Sequence, residues 1–159
     1  MSKSNSRLPV TTARSEPENL AILLREPFRT MSEQLIERLA QRGHADVRYA
    51  HGNVFQYLDD GGTRVSVLAQ RAGMTKQSMA QLVEHLERHG YLERIADPGD
   101  GRAKLIRATA RGTDVFDVVR DYVAEVDARL DEKLGAAKVQ RLRALLKDLD
   151  GALEVDSRA

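Results

Sequence analysis

The stretch 73–90 carries hydrogen-bonding side chains at helical spacing. At about 100° per residue, Gln77, Gln81 and Arg88 fall on one side of a helix, and Ser78 and His85 flank them. The opposite side carries the apolar residues of the stretch, which are Met79, Leu82, Val83 and Leu86. Such a donor-rich face suits the polar base edges in a groove of DNA, although an ordinary surface helix presents a similar face to water.

The two ends of this predicted helix carry residues that start and stop helices. Thr75 can accept a hydrogen bond from the first turn, and Gly90 suits the left-handed residue that follows a helix C-terminus. Before Gly73, apolar and small residues predict a shorter helix, namely Val65, Leu68, Ala69 and Ala72. A short helix, a glycine turn and a second helix make the helix-turn-helix arrangement, in which the second helix enters the major groove.

A β-hairpin is predicted directly after these two helices. Residues 91–95 predict a strand, residues 97–101 are dense in turn formers, and residues 103–108 alternate as a return strand. The hairpin is then a wing, and its tip offers Arg102 and Lys104 to phosphates or to a minor groove. Asp97 and Asp100 would be repelled by DNA unless they pair with an arginine or cap the turn. We therefore expect Asp100 either to orient Arg102 or to act as a simple turn residue.

Charge is distributed unevenly along the chain, although the net charge is only +1. Residues 63–112 hold nine basic and five acidic side chains, whereas residues 113–159 hold eight basic and eleven acidic ones. A basic middle followed by an acidic C-terminal part is expected where one module faces phosphates and another does not.

Long apolar helices are predicted on both sides of this middle part. Residues from 17 to 43 follow a helical pattern that Pro27 either kinks or divides into two helices. Thr109 can cap a helix of roughly 25 residues, and the last helix carries a stripe that requires a partner helix. That stripe consists of Val139, Leu142, Leu146, Leu149 and Leu153. We expect a second copy of the chain to cover it, since a symmetric dimer also sets two recognition helices about one DNA turn apart.

The sequence thus predicts a mainly α fold with a small β-hairpin wing. In this fold a winged helix-turn-helix lies between N- and C-terminal helices that form a dimerisation region. Residues 1–16 are expected to be a disordered tail, and residues 17–159 a single domain. Within that domain we assign residues 17–46 and 113–159 to dimerisation and residues 47–112 to the winged helix-turn-helix.

Composition excludes several classes of protein. Cysteine is absent, which removes disulfides, thiolate metal sites and cysteine nucleophiles together. No apolar run approaches the roughly 20 residues of a membrane span, and the N-terminus lacks the pattern of a signal peptide. We expect a soluble, cytoplasmic protein.

Neither catalysis nor a metal site is expected. His85 and His89 lie four residues apart, as in zinc proteases, but that motif places Glu directly after the first His, where this chain has Leu86. No third ligand is apparent, and the chain has neither a Walker-type phosphate loop nor a G-x-S-x-G turn. We predict no catalytic residue, no metal and no cofactor.

An ordered set of motifs resembles the MarR family of bacterial transcriptional regulators, and the resemblance covers nearly all of residues 18–155. The motifs that carry it are Leu68-Ala69, Gly73, Thr75-Lys76-Gln77-Ser78, residues 86–94, residues 97–104 and Thr109-Ala110-Arg111-Gly112. The resemblance implies a homodimeric winged helix-turn-helix protein that binds palindromic operators on double-stranded DNA. Such proteins often repress genes until a small-molecule effector weakens binding.

Residue by residue, the resemblance implies a DNA contact surface. The positions that match the family's major-groove face are Thr75, Lys76, Gln77, Ser78 and Gln81, and Arg102 matches its minor-groove wing arginine. We expect Lys76 to bind phosphate, because it lies off the centre of the polar face. Gly101 departs from the larger or basic residue found in other members, and the absence of cysteine excludes the family's thiol-based peroxide sensing.

The resemblance also implies an effector cavity between the dimerisation helices and the winged module. Met31, His51 and Phe55 are plausible lining residues, and all three could equally be core residues; for His51 a hydrogen-bonded core or rim position is the commoner case. A winged-helix module that binds another protein without sequence-specific DNA binding is the alternative function.

Overall fold

The computed structural model describes residues 19–155, and the predicted tail at residues 1–16 lies outside them. The elements are α1 (Leu20–Gln41), a 3-10 helix (Tyr49–His51), α2 (Gly52–Phe55), α3 (Val65–Arg71), α4 (Lys76–Arg88), β1 (Leu92–Asp97), β2 (Asp100–Ala108), α5 (Ala110–Leu134) and α6 (Ala136–Val155). This arrangement confirms the mainly α fold with a β-hairpin wing. Among the described helices, none combines the length and apolarity that a membrane span needs.

The chain consists of two compact units, and the boundary between them lies between Gln34 and Leu35, inside α1. The described part of the first unit is the N-terminal portion of α1, which passes through Pro27 without ending. Glu26 accepts hydrogen bonds from Arg25 at 2.9 Å and Arg29 at 2.9 Å, which stabilises the exposed side of this helix. Its large apolar side chains are also exposed, and these are Leu20, Ile22, Leu23, Leu24, Phe28 and Met31.

The second unit contains the hydrophobic core, which lies around α3 and α4. Met79, Val83 and Leu86 are fully buried, so α4 buries the face that its sequence period predicted. They pack in a cluster with residues of neighbouring elements, including Leu39, Val54, Leu68, Ala69, Tyr91, Ile106 and Val115. Burial of this apolar stripe fixes which side of α4 remains exposed.

The wing is an antiparallel pair of strands that runs further towards its tip than predicted. Leu92 pairs with Ala108 at the base and Asp97 pairs with Asp100 at the tip, with an irregularity in register between Ala96 and Asp97. Thr63 bridges to Ile106 through two backbone hydrogen bonds of 2.8 and 2.9 Å. This bridge joins the segment before α3 to the wing.

Helix α5 begins where the sequence predicted. Thr109 Oγ1 accepts a hydrogen bond from the Gly112 N–H at 3.2 Å and donates one to the Gly90 carbonyl at 2.6 Å. Gly90 itself has φ of +76°, as expected for the residue that ends α4. One threonine therefore links the end of α4 to the start of α5.

Candidate nucleic-acid interface

The N-terminal turn of α4 presents the polar row that the sequence predicted. Thr75 caps the helix, because its Oγ1 accepts a hydrogen bond from the Ser78 N–H at 3.1 Å. The same hydroxyl donates to Ser78 Oγ at 2.8 Å, so both side chains are already engaged with each other. The side chains of the row are all exposed, and they are Thr75, Lys76, Gln77, Ser78 and Gln81.

The turn between α3 and α4 sets the orientation of this row of side chains. Gly73 has φ of +62°, a conformation that favours glycine, and the Met74 N–H donates to the Ala69 carbonyl at 2.9 Å. The chain therefore reverses directly after α3 and enters α4 at Thr75. This is the helix-turn-helix geometry in which the start of the second helix is free to contact a ligand.

The wing carries both predicted basic residues on its surface. Arg102 and Lys104 are exposed on β2, close to the turn. Asp100 Oδ1 accepts a hydrogen bond from the Arg102 backbone N–H at 3.1 Å, so Asp100 fixes the main chain of Arg102 as a turn residue does. The Arg102 guanidinium has no ion-pair partner within residues 19–155.

Arg64 is a site residue that sequence reasoning missed. Its Nε and Nη2 lie 2.7 and 2.5 Å from Asp97 Oδ2, and Nη2 lies 3.5 Å from Asp100 Oδ2. The Gly99 backbone N–H and the Arg64 guanidinium lower the pKa of Asp97 below its ordinary value. The sequence predicted that the two aspartates at the wing tip pair with an arginine or cap the turn. It did not indicate Arg64, because Arg64 lies 33 residues before Asp97 in the chain.

The basic side chains of residues 63–112 divide into two groups. Five form ion pairs, which are Arg64 with Asp97, Arg71 with Asp59, Arg94 with Glu87, Arg107 with Glu93 and Arg111 with Asp46. Four have no ion-pair partner in the part of the chain that the structure describes, and these are Lys76, Arg88, Arg102 and Lys104. Within residues 63–112, the cations that lack an ion-pair partner among residues 19–155 are thus on α4 and the wing, where the sequence predicted phosphate contacts.

The two histidines at the end of α4 face the protein rather than the polar row. His85 Nε2 lies 2.9 Å from the Asp46 carbonyl, and His89 Nδ1 lies 2.8 Å from the His85 carbonyl. Within residues 19–155 no group of three or more His, Asp or Glu side chains is arranged to hold a metal ion. Unlike these two histidines, Glu84 and Arg88 are exposed on the same side of α4 as Gln77 and Gln81.

The three residues predicted to line an effector cavity lie in different settings. Met31 is on the N-terminal part of α1, and its side chain is exposed. His51 and Phe55 are buried in the second unit, where Phe55 meets the Phe116 ring edge-on at 5.4 Å. His51 Nδ1 accepts a hydrogen bond from the Arg48 N–H at 2.9 Å. Burial, together with His85, Arg48 and His89, lowers the pKa of His51 to about 4.

A cleft of about 420 Å³ opens elsewhere in the second unit. It is lined by Leu58, Asp59, Asp60, Arg107, Ala108, Thr113, Phe116, Asp117 and Arg120. Its volume is in the range of small-molecule sites, and it combines apolar and charged groups. Phe116 connects this cleft to Phe55, because the two rings are in contact.

The helix-turn-helix and the wing match a known family. The family model described as MarR family matches residues 45–103, which include α3, α4 and β1. The uncharacterized HTH-type transcriptional regulator YhbI of Bacillus subtilis (strain 168) is 26% identical over 96 residues, which are 60% of this chain and 62% of that protein. The chain therefore spans less than two thirds of the length of this relative.

Solved structures share the fold over most of the chain. The S. aureus MepR-DNA complex has a TM-score of 0.68 and 20% identity, and the match covers 84% of this chain and 98% of that one. CouR from Rhodococcus jostii RHA1 bound to p-coumaroyl-CoA has a TM-score of 0.60 and 25% identity, over 83% of this chain and 92% of that one. Residues 45–103 of the chain thus match the MarR family model, and most of the chain shares the fold of these solved structures.

Proposed function

We propose that the protein is a sequence-specific DNA-binding regulator of transcription. The main support is the position of the basic side chains of residues 63–112 that have no ion-pair partner in the described part of the chain. They belong to α4 and the wing, beside the exposed row of Gln77, Ser78 and Gln81. Unpaired cations bind phosphates with release of counterions, and amide side chains read base edges. Gln77, Ser78 and Gln81 are assigned to bases, Lys76 and Lys104 to phosphates and Arg102 to the minor groove.

A salt titration tests this assignment. Genomic fragments retained by the full-length protein would be labelled, and their affinity measured by fluorescence anisotropy against random duplex DNA at increasing salt. We expect log K to fall linearly with log salt, and the selected fragments to bind more tightly than random DNA. Salt-independent binding, or equal affinity for both DNAs, contradicts the proposal and favours a protein-association module.

The proposal includes a homodimer on a palindromic operator. Large apolar side chains are exposed on α6 in the single chain, and these are Leu142, Leu145, Leu146 and Leu153. A second copy is the partner that a DNA-binding module needs, since two recognition helices then meet two half-sites. Sedimentation should give a dimer for the wild type and a monomer for Leu146→Glu, whereas Gln140→Glu, an exposed polar position, should remain dimeric. A monomeric wild type contradicts this part of the proposal.

Repression relieved by a small-molecule effector completes the proposal. The cleft at Phe116 offers apolar contact with Leu58, and its charged lining includes Arg107 and Arg120, which are paired with Glu93 and Asp117. CouR, which shares the fold, is bound to p-coumaroyl-CoA. Of the residues expected to line an effector cavity, buried Phe55 contacts Phe116 of this cleft, whereas His51 and Met31 are not among its lining residues. Aromatic acids and their coenzyme A thioesters should release DNA from the wild type. Phe116→Trp should prevent release by filling the cleft; release that persists unchanged in this variant places the effector elsewhere.

A further inference from the structure

The exposed face of α4 continues past Gln81 as a narrow stripe of polar side chains. Gln77, Gln81, Glu84 and Arg88 follow one another at intervals of four, three and four residues, which places them on one side of a helix. All four side chains are exposed, and they lie opposite the buried apolar face of α4. The surface proposed to meet DNA therefore includes Glu84, a carboxylate to which no role has been assigned.

Glu84 differs from the other carboxylate of α4 in its surroundings. Glu87 lies on the flank of the helix, is partly buried and binds Arg94 of β1 at 2.8 Å. Glu84 has no ion-pair partner among residues 19–155, although Arg88 stands one turn further along the same helix. Residues four apart on a helix can form an ion pair, but these two opposite charges do not form one here. The Glu84 carboxylate is therefore free to accept hydrogen bonds from a bound molecule.

A carboxylate on a surface that faces DNA can bind only a restricted set of groups. An ionised carboxylate donates no hydrogen bond and is repelled by phosphates, so it does not bind the backbone of DNA. Amino groups are the donors on base edges in the major groove, and a glutamate there pairs with the N4 amino group of cytosine. Glutamine suits adenine instead, because its amide both donates and accepts. The base preference of Glu84 thus differs from that of Gln77 and Gln81.

The spacing along α4 also places Glu84 beside the base pair assigned to Gln81. Three residues correspond to a rise of about 4.5 Å along a helix axis, and successive bases of one strand are about 3.4 Å apart. The two side chains are therefore separated by roughly one base-pair step. Val83 and Leu86, on either side of Glu84, are fully buried, so the helix cannot rotate Glu84 away from this face.

We propose that Glu84 is a specificity-determining residue, and that its carboxylate accepts a hydrogen bond from the N4 amino group of one cytosine for each protomer. This inference rests on the proposed DNA-binding function. The same carboxylate disfavours DNA that offers no donor at this position, because its charge then stays unpaired close to the phosphates. Glu84 therefore increases specificity partly by lowering the affinity for other sequences.

Selection from a random duplex library tests this role. Full-length wild-type protein, Glu84→Gln and Glu84→Ala would be used in parallel, and the enriched DNA sequenced. The wild type should enrich cytosine at one position for each protomer, Glu84→Gln should change that preference to adenine, and Glu84→Ala should show no preference there. On a selected duplex, replacing this cytosine should lower the affinity of the wild type by about five- to 150-fold and that of Glu84→Ala by less than about twofold.

A matched variant checks that the loss of charge alone does not explain the result. Glu132→Gln removes the same charge from an exposed position of α5 and should leave both the base preference and the affinity for random DNA unchanged. Glu84→Gln and Glu84→Ala should bind random DNA more tightly than the wild type, because a charge that phosphates repel is removed. Glu84 is exposed, so both variants should unfold in urea as the wild type does.

The outcomes separate this inference from the function on which it rests. A wild type that enriches no sequence overturns both. If the wild type enriches a sequence and Glu84→Ala enriches the same one with the same base at every position, the inference is overturned and the proposed function stands. A uniform gain in affinity for all DNA, with base preferences unchanged, also overturns the inference, since Glu84 then repels phosphates without reading a base.

Discussion

Arg64 and Asp97 join the segment before α3 to the tip of the wing. Both Nε and Nη2 of Arg64 bind Asp97 Oδ2, at 2.7 and 2.5 Å, while Asp97 Oδ1 accepts a hydrogen bond from the Gly99 N–H at 2.9 Å. One carboxylate thus shapes the wing turn with one oxygen and ties it to the helix-turn-helix with the other. We therefore expect the position of Arg102 on the wing to depend on this link.

Arg64→Ala should weaken both the fold and DNA binding. The Arg64 side chain is partly exposed, so we expect a loss of about 0.5–1 kcal/mol in the free energy of unfolding by urea. DNA affinity should fall by more than this loss explains, because the wing is no longer held. Arg107→Ala is the control, since it removes the same charge and a cross-strand pair with Glu93 but no link to α3. Equal effects of the two substitutions on affinity would contradict a positioning role for Arg64.

Gln81→Ala should relax sequence discrimination. Gln81 is exposed on the face of α4 that is assigned to bases, and a good base contact contributes about 1–3 kcal/mol of discrimination. The ratio of affinities for a selected fragment and for random DNA should fall accordingly. Gln56→Ala, at an exposed glutamine outside α4 and the wing, should leave the ratio unchanged. Equal losses on both DNAs would show that Gln81 does not read a base.

Arg102→Ala should lower the salt dependence of DNA binding. Removing one phosphate or groove contact reduces the slope of log K against log salt by about one for each protomer. Lys147→Ala removes one positive charge from α6 and is expected to leave the slope unchanged. If Arg102→Ala and the wild type have the same slope, the wing tip does not contact the DNA.

Local signals in the sequence were sufficient for much of this fold and of the candidate surface. Thr75 and Thr109 cap their helices through contacts three residues along the chain, and Met79, Val83 and Leu86 follow from the period of one helix. Such features depend on neighbours within a turn or two. The helix limits and the exposed row on α4 could therefore be predicted.

Long-range pairs could not be predicted in the same way. His51 and His85 are 34 positions apart, and only the packing of the 3-10 helix on α4 brings their rings into contact. The sequence indicated that His85 flanks the polar face, but its hydrogen bond to the Asp46 carbonyl turns it towards the protein. Pro27 allowed either a kinked helix or two helices, and a single α1 runs through it.

Acid should destabilise the protein through His51. Its side chain is 3% exposed, and burial is the main cause that lowers its pKa from 6.5 to about 4. Between these two values the unfolded chain binds a proton that the folded chain does not, so the free energy of unfolding falls as pH drops from 6.5 towards 4. The loss should reach up to about 3 kcal/mol, and none of it is expected above pH 6.5.

The variant His51→Asn distinguishes acid destabilisation caused by His51 from acid destabilisation caused by protonation of carboxylates. The asparagine oxygen can still accept the Arg48 N–H hydrogen bond but does not titrate, so the variant should lose less stability than the wild type between pH 6.5 and pH 4. Urea unfolding at several pH values measures the difference. Parallel curves for the two proteins would show that His51 is not the group responsible.

Gly112→Ala should destabilise the junction between the helix-turn-helix and α5. A β-carbon at Gly112 would overlap the Tyr91 carbonyl oxygen far inside van der Waals contact, and that oxygen also accepts the Thr109 N–H hydrogen bond at 3.0 Å. Relief requires movement of backbone on both sides, so we expect a loss of at least about 2 kcal/mol in the free energy of unfolding. Gly101→Ala is the matched control, because a β-carbon there meets open space and its φ is not in the left-handed region. Thermal and urea unfolding of both variants measure the difference, and equal stability would show that α5 can shift away from Tyr91 without cost.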